Sequence, residues 1–337
     1  MKRFLAFLLS IVMFMSFVEV GAAAADTEDW WETIPEKVSL KKIDDKYYRV
    51  KGMSRIVCNY KSWVKRTEKM DKKVKNFNKV LDALDPHILV YFYYVESSRS
   101  HPIKDEFPED SDLYLHFKEL LHCDASDHLK YTTFEEYCHY FYSTDHHWNY
   151  RGSYQGYLDV VRMLKGPDEP VLEPSETVVF PVIYNGSFSS RTQNYISKEK
   201  FTVYRFDQMP EYTAYAKGKK ITYDRMKQYF KGKYGKTLLE HHYGRFYGGE
   251  YGELLFKSKS EDSGKGNLLV FSDSMCNAIK ALLIGHYDQI LFIDLRYYEK
   301  EKGEHCSMQD VLSRFPADQI LILTCNTAFS DTHRLYP

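Results

Sequence analysis

Apolar residues at Trp63, Met70, Val74, Phe77, Leu81 and Leu84 recur in a Lys-rich background at the spacing of one helix face. This predicts a long amphipathic helix, stopped by Pro86. Residues 88–95, Ile-Leu-Val-Tyr-Phe-Tyr-Tyr-Val, follow as an unbroken apolar run, the pattern of a strand buried on both faces in a parallel sheet. A second helix is expected near residues 150–164, where Tyr157, Leu158, Val161 and Leu164 share a face, Asn149 can cap the start and Gly166-Pro167 ends it.

Residues 170–265 change character. β-Branched and aromatic runs at 177–184 and 201–206 are broken by Asn185-Gly186 and Lys217-Gly218, which predicts hairpins and loops and reads as a β-rich insertion. The last third alternates strand 267–271, helix 275–284, strand 289–294, helix 308–315 and strand 319–324. Strands alternating with helices call for an α/β fold with a parallel sheet, flanking helices and right-handed crossovers.

The N-terminus runs Lys2-Arg3, an apolar stretch over 4–18, then Ala22-Ala23-Ala24-Ala25 before Asp26, the order of a secretory signal. Residues 1–25 are therefore expected to be removed, leaving residues 26–337 as one extracytoplasmic domain. An uncleaved anchor is the rival reading, opposed by Glu19 inside any span that includes this run. No later apolar run is long enough to cross a bilayer.

The 337 residues carry 46 basic and 47 acidic groups, a net charge of −1. Export would remove Lys2, Arg3 and Glu19 and leave the balance nearly even, so a nucleic-acid partner is excluded for want of a basic footprint. Hydrophobic residues at 44% and charged residues at 28% fit a chain that buries a core. Six cysteines permit up to three disulfides outside the cytoplasm, and their spacing matches neither a zinc finger nor a thioredoxin-like site.

Two segments carry chemistry. The first is Ser143-Thr144-Asp145-His146-His147-Trp148, leading into the second helix. The two-residue spacing of Asp145 and His147 lets a carboxylate reach Nδ1 of the imidazole, fix its tautomer and stabilise the imidazolium; the same letters also suit a capped helix start. The second is Phe271-Ser272-Asp273-Ser274-Met275, where an apolar strand turns into a helix. Ser274 at that edge can be a nucleophile if a base takes its proton, or Asp273 and Ser274 are ordinary cap residues. Both segments at junctions of one predicted sheet favour chemistry.

Around them, the helix-start N–H groups, Met275's included, suit an oxyanion. Arg296, after the next strand, suits negative charge or an interface ion pair. Asn277 lies one turn past Ser274, where it either faces the site or stands as an exposed helix residue, and the exposed reading is favoured. Tyr142, Trp148 and Tyr150 are expected near the cleft, although most of the 29 Tyr read as strand and core residues. His122, His128, His139, His146 and His147 raise a metal site. Adjacent strand residues point to opposite faces, which disfavours joint chelation by His146 and His147. No cofactor is called for.

The blocks Thr144-Asp145-His146-His147-Trp148, Phe271-Ser272-Asp273-Ser274 and Ile293-Asp294-Leu295-Arg296-Tyr297-Tyr298 together resemble the DHHW family, which is similar to the SGNH-like polysaccharide O-acetyltransferases of the alginate O-acetylation type. The resemblance spans roughly residues 45–325 and is strongest in those blocks. It implies an SGNH-hydrolase-like fold, with Ser274 as nucleophile, His147 as base and Asp145 as its orienter, acting on acyl esters of a polysaccharide. It also implies a membrane-bound acyltransferase partner that delivers the donor. One departure is Ser272, where the family has Gly before the Asp-Ser pair. A non-catalytic glycan-binding or scaffolding protein and a metal-dependent hydrolase are the alternatives; the DHH phosphoesterases share letters but not their further acidic motifs.

Overall fold

The structure, a computed structural model, describes residues 33–58, 63–95, 113–223, 226–260, 264–325 and 335–337. The expected signal at 1–25 lies outside the described residues. Chain order is β1 (Leu40–Lys42), β2 (Tyr47–Val50), β3 (Ile56–Cys58), helix Trp63–Leu81, β4 (Leu89–Tyr94), helix Leu113–Leu120, β5 (Ala125–His128), and helices Phe134–Tyr140 and Tyr150–Lys165. Then come β6 (Glu176–Ile183), helix Ser187–Thr192, β7 (Lys200–Arg205), β8 (Tyr212–Ala216), β9 (Lys219–Ile221), helices Met226–Phe230 and His242–Tyr247, and β10 (Glu253–Ser258). The chain continues through β11 (Asn267–Ser272), β12 (Gln289–Ile293), helix Leu295–Lys302, β13 (Cys306–Ser307), helix Met308–Arg314, β14 (Gln319–Thr324) and β15 (Leu335–Tyr336).

Eight strands form the central sheet in the order β5-β4-β14-β11-β12-β10-β8-β9. The first five run parallel and the last three join antiparallel. Alternation along the parallel strands feeds two cores. Tyr91, Tyr93, Leu268, Val270, Ile290 and Phe292 meet Tyr157, Val160, Val161 and Leu164 of helix Tyr150–Lys165 on one face. On the other, Phe92, Leu269, Phe271, Leu291 and Ile322 meet Val74, Phe77, Leu81, Met308 and Val311. A one-residue slip would swap every side chain between the two cores, so this double burial pins the register of β11 and fixes where the chain leaves it. The chain belongs to the expected fold class, a mixed α/β protein with a largely parallel sheet flanked by helices.

Three local expectations change. The helix expected at 275–284 is broken into a 3₁₀ turn Ser274–Ala278, an α-turn Lys280–Leu283 and a 3₁₀ turn Ile284–His286. The β-rich stretch 170–265 carries β6 and β7, which pair alone, and β8, β9 and β10, which extend the central sheet. Lys217 and Gly218, at φ 52° and 71°, make the expected tight hairpin between β8 and β9. Asn185-Gly186 instead opens the helix Ser187–Thr192. Cys123, Cys276 and Cys306 are free thiols, so the three pairings that six cysteines allow are not formed.

Candidate active site

Ser274 follows β11 directly at the C-terminal edge of the parallel strands. Asp273 anchors the turn: its Oδ1 accepts the Met275 N–H at 2.9 Å, and its Oδ2 accepts the Thr324 hydroxyl and the Cys325 N–H at 3.0 Å each. The carboxylate thus ties the exits of β11 and β14 together. Ser272, still paired in register with Leu323, is absent from the residues of positive φ. The backbone here therefore does not demand the glycine that the resemblance leads one to expect.

Asp145 and His147 arrive on a loop between helices Phe134–Tyr140 and Tyr150–Lys165, closed by an antiparallel bridge between Phe141 and Trp148. It is not a strand-to-helix junction as expected, because the Tyr-rich residues before it are helical, started by a Thr133–Glu136 capping box. The loop brings His147 Nε2 to 2.9 Å from Ser274 Oγ, across 127 residues of chain. On the other side, His147 Nδ1 lies 3.2 Å from Asp145 Oδ2. With Asp145 ionised, Nδ1 carries the proton and Nε2 is left to accept from the serine hydroxyl. Asp145, His147 and Ser274 are 3%, 8% and 8% exposed, so little water competes for these bonds.

Asp145 is held from several sides. Its Oδ1 accepts the His146 N–H at 2.7 Å and the Ser187 hydroxyl at 2.5 Å. Its Oδ2 accepts the Tyr184 hydroxyl. Burial raises the carboxyl pKa, yet the His147 and His146 charges and hydrogen bonds outweigh it and hold the group well below the ordinary carboxylate range. Gly186 makes room for this packing, since a Cβ there would stand 2.3 Å from Asp145 Cβ. Behind the loop, buried Glu199 accepts the Ser143 N–H and hydroxyl at 2.7 and 2.8 Å. Arg55 donates to the carbonyls of Phe141 and Tyr142 at 3.1 and 3.2 Å. Tyr243 stacks on the His147 ring. Tyr184, Ser187, Glu199 and Tyr243 were not singled out from sequence; each lies in the 170–265 stretch, far along the chain from the groups it supports.

Other expected site residues sit differently. Trp148 is fully buried, its ring filling the space that Gly156 leaves open, so it cannot touch a substrate. Tyr142 and Tyr150 are buried as well; all three belong to the packing that holds the loop. The Met275 N–H is taken by Asp273, so it is not the oxyanion donor the sequence suggested. Asn277 is buried, against the favoured exposed reading, and its Oδ1 accepts from Lys280 Nζ at 2.8 Å. Arg296 does reach this edge of the sheet, but it is forked onto Asp294 at 2.6–3.2 Å and touches Glu250 at 3.2 Å. It forms the interface ion pair rather than a free cation.

His146 and His147 face the same carboxylate, with ring centroids 3.9 Å apart, because the backbone is a loop and the alternation of a strand does not apply. Ligand atoms of Asp145, His146 and His147 lie within 4.8 Å of one another. Both carboxylate oxygens are engaged by hydroxyl and N–H donors, and His146 Nδ1 lies 2.7 Å from Ser187 Oγ. This geometry is that of a hydrogen-bonded cluster.

No protein-family profile matches the sequence, and no curated protein matches it either. Solved structures do. A DHHW family protein from Eubacterium siraeum superposes with a TM-score of 0.61 at 18% identity, over 86% of this chain and 96% of that one. The chain shares that protein's fold. Bacillus cereus PatB1 superposes at 0.60 and 19% identity over 87% of this chain and 98% of its own. PatB1 carrying a sulfonyl adduct gives 0.57 at 16% over 82% and 96%. The resemblance read from the three motif blocks thus holds at the level of fold. Among the described residues, no helix is long and apolar enough to cross a membrane.

Proposed function

We propose that this chain is an extracytoplasmic serine acyltransferase or esterase that moves an acyl group, acetyl first among candidates, on or off a polysaccharide hydroxyl. The observation that carries the reading is the unbroken hydrogen-bonded run from Asp145 through His147 to Ser274 Oγ, ending in a 2.9 Å contact at the sheet edge. The DHHW fold and the motif resemblance support the choice of a polysaccharide ester. Export through residues 1–25 and a membrane-bound acyltransferase partner belong to the same proposal.

In this reading, Ser274 Oγ attacks the acyl carbonyl while its proton passes to His147 Nε2, and Asp145 stabilises the imidazolium. His147 returns the proton to the departing oxygen, leaving the acyl group on Ser274. A sugar hydroxyl or water then gives its proton to His147 and attacks the acyl-enzyme, and His147 passes that proton to Ser274 Oγ as the ester or acid departs. With the Met275 N–H occupied, the oxyanion falls to the Ser274 N–H and the Asn277 side-chain amide. In a 3₁₀ turn, residues i and i+3 eclipse, which stacks Asn277 over Ser274. Lys280, by holding Asn277 Oδ1, leaves the amide N–H groups free to donate.

The occupied Met275 N–H favours one second reading, a glycan-binding scaffold with no turnover. Purified protein incubated with an aryl acetate, with and without oligosaccharides, separates them. Acetylated sugar marks a transferase, and acceptor-independent turnover marks an esterase. Absence of both, in folded protein, leaves the scaffold.

A further inference from the structure

We infer that the loop between helices Met226–Phe230 and His242–Tyr247 is a docking surface for an anionic lipid bilayer, entered by Leu238 and Leu239 and held there by the lysines around them. The inference stands apart from the chemistry at Ser274.

The near-even charge of the whole chain hides a local excess. Residues 217–241 hold eight of the 46 basic groups and two of the 47 acidic ones, a net of +6 that leaves −7 for the rest. The fold gathers these charges. Lys220 of β9 and Lys227 of helix Met226–Phe230 line one groove together with Phe230, and Lys231, Lys233 and Lys236 follow, all exposed, in the loop itself. Glu240, the one acid of the loop, is paired with Arg245.

Apolar exposure marks the same place. Among the described residues, Leu239 and Leu238 are the most exposed large hydrophobic side chains, at 60% and 55%, and Phe230 is 40% exposed. A lone exposed leucine needs no explanation, but two adjacent ones set among lysines do. The loop holds them outward. The Glu240 N–H donates to the Thr237 carbonyl at 3.3 Å, which places Leu238 and Leu239 at the corners of a turn. Gly235 lets Glu240 pack closely behind that turn, since a Cβ there would stand 2.1 Å from Glu240 Cδ. The base of the loop is fixed by Tyr229 and Tyr234, whose rings lie 5.4 and 5.5 Å from Phe180, and by the Tyr229 hydroxyl, 3.0 Å from His242 Nδ1.

Charge alone would serve an acidic protein as well. A bilayer uses both features at once: the lysines meet lipid phosphates while the leucines enter the boundary between headgroups and acyl chains. Because the turn is already formed, little order has to be imposed on docking.

The test uses residues 26–337, since Glu32–Pro337 form a compact unit of their own and the apolar run 4–18 would bind lipid by itself. Partition is measured on vesicles of about one-third phosphatidylglycerol in phosphatidylcholine and on phosphatidylcholine alone, at about 50 and about 500 mM salt. The expected result is at least about tenfold stronger binding to the anionic vesicles, weakened at least about fivefold by salt. The double variant Leu238→Ser with Leu239→Ser, and the triple variant Lys231→Gln, Lys233→Gln and Lys236→Gln, should each weaken it at least about fivefold at an unchanged thermal midpoint. Leu115→Ser, at another exposed leucine, should leave it unchanged. Should the leucine pair unfold early, Leu239→Ser alone replaces it. No binding, equal binding to the neutral vesicles, full binding by either folded loop variant, or an equal loss in Leu115→Ser overturns the inference; capture by polyglutamate without capture by vesicles assigns the patch to an acidic protein instead. Aryl-acetate turnover, read without vesicles, tests the Ser274 centre separately: its absence leaves the docking surface standing, and absence of vesicle binding leaves the triad standing.

Discussion

The Tyr243 ring lies flat on the His147 imidazole, centroids 4.0 Å apart and planes 16° from parallel, while its hydroxyl is shared between the Ser274 and Met275 carbonyls at 3.0 and 3.1 Å. One side chain therefore sets the ring that receives the proton and the backbone that presents the hydroxyl. Two contacts of different kinds can be separated by two substitutions. Tyr243→Phe should keep the stack and lower kcat about fivefold, in line with one lost hydrogen bond of about 1 kcal/mol. Tyr243→Ala should lower it at least about fiftyfold by freeing the imidazole as well. Steady-state kinetics on an aryl acetate checks this; equal effects of the two would mean that stacking contributes nothing.

Asn277 and Lys280 act in series if the amide is an oxyanion donor. Loss of one such donor costs about 10²–10³ in kcat, so Asn277→Ala should fall in that range with KM nearly unchanged. Lys280→Met keeps the length of this buried side chain but releases Asn277 Oδ1. It should lower kcat by a smaller factor, about tenfold, again with little change in KM. A rise in KM at constant kcat would place both residues in ground-state binding instead.

Glu199 links the loop to pH. Burial pushes its carboxyl from the ordinary 4.5 up to about 7, opposed only in part by the Ser143 hydrogen bonds and the Arg55 charge. The folded state therefore holds this proton more tightly than the unfolded chain. The resulting stability is fully present below about pH 4.5 and is lost as pH rises through about 7. The total is on the order of 3 kcal/mol. Denaturant unfolding across this window should show that decline, and Glu199→Gln should flatten it. A Glu199→Gln slope equal to that of the wild type would contradict the assignment.

The legible parts of this molecule share a physical cause. Strands β4, β11, β12 and β14 are buried on both faces, so they had to be written as continuous apolar runs. Asp145, His147 and Ser274 were legible because a short, specific motif and a strand exit flank them. What supports them was not. Tyr184 reaches Asp145 across 39 residues, and Tyr243 reaches Ser274 across 31; neither separation leaves a periodic trace, and in a chain with 29 Tyr neither stands out. The 3₁₀ turn at Ser274 and the cap that consumes the Met275 N–H follow from Asp273 bridging two strands, a tertiary bond invisible in local spacing. Trp148 misled because an aromatic beside a motif suits a cleft as well as a core; its burial depends on Gly152 and Gly156, one and two turns into the next helix.

The central claim is that Ser274 Oγ is a nucleophile activated by His147. The most direct measurement exposes folded wild-type protein and Ser274→Ala to a sulfonyl fluoride and locates any adduct by intact mass and peptide mapping. A single adduct on Ser274, absent from Ser274→Ala and matched by loss of wild-type aryl-acetate turnover, is the predicted result. An unmodified wild-type protein, or the same adduct on both proteins, would contradict it.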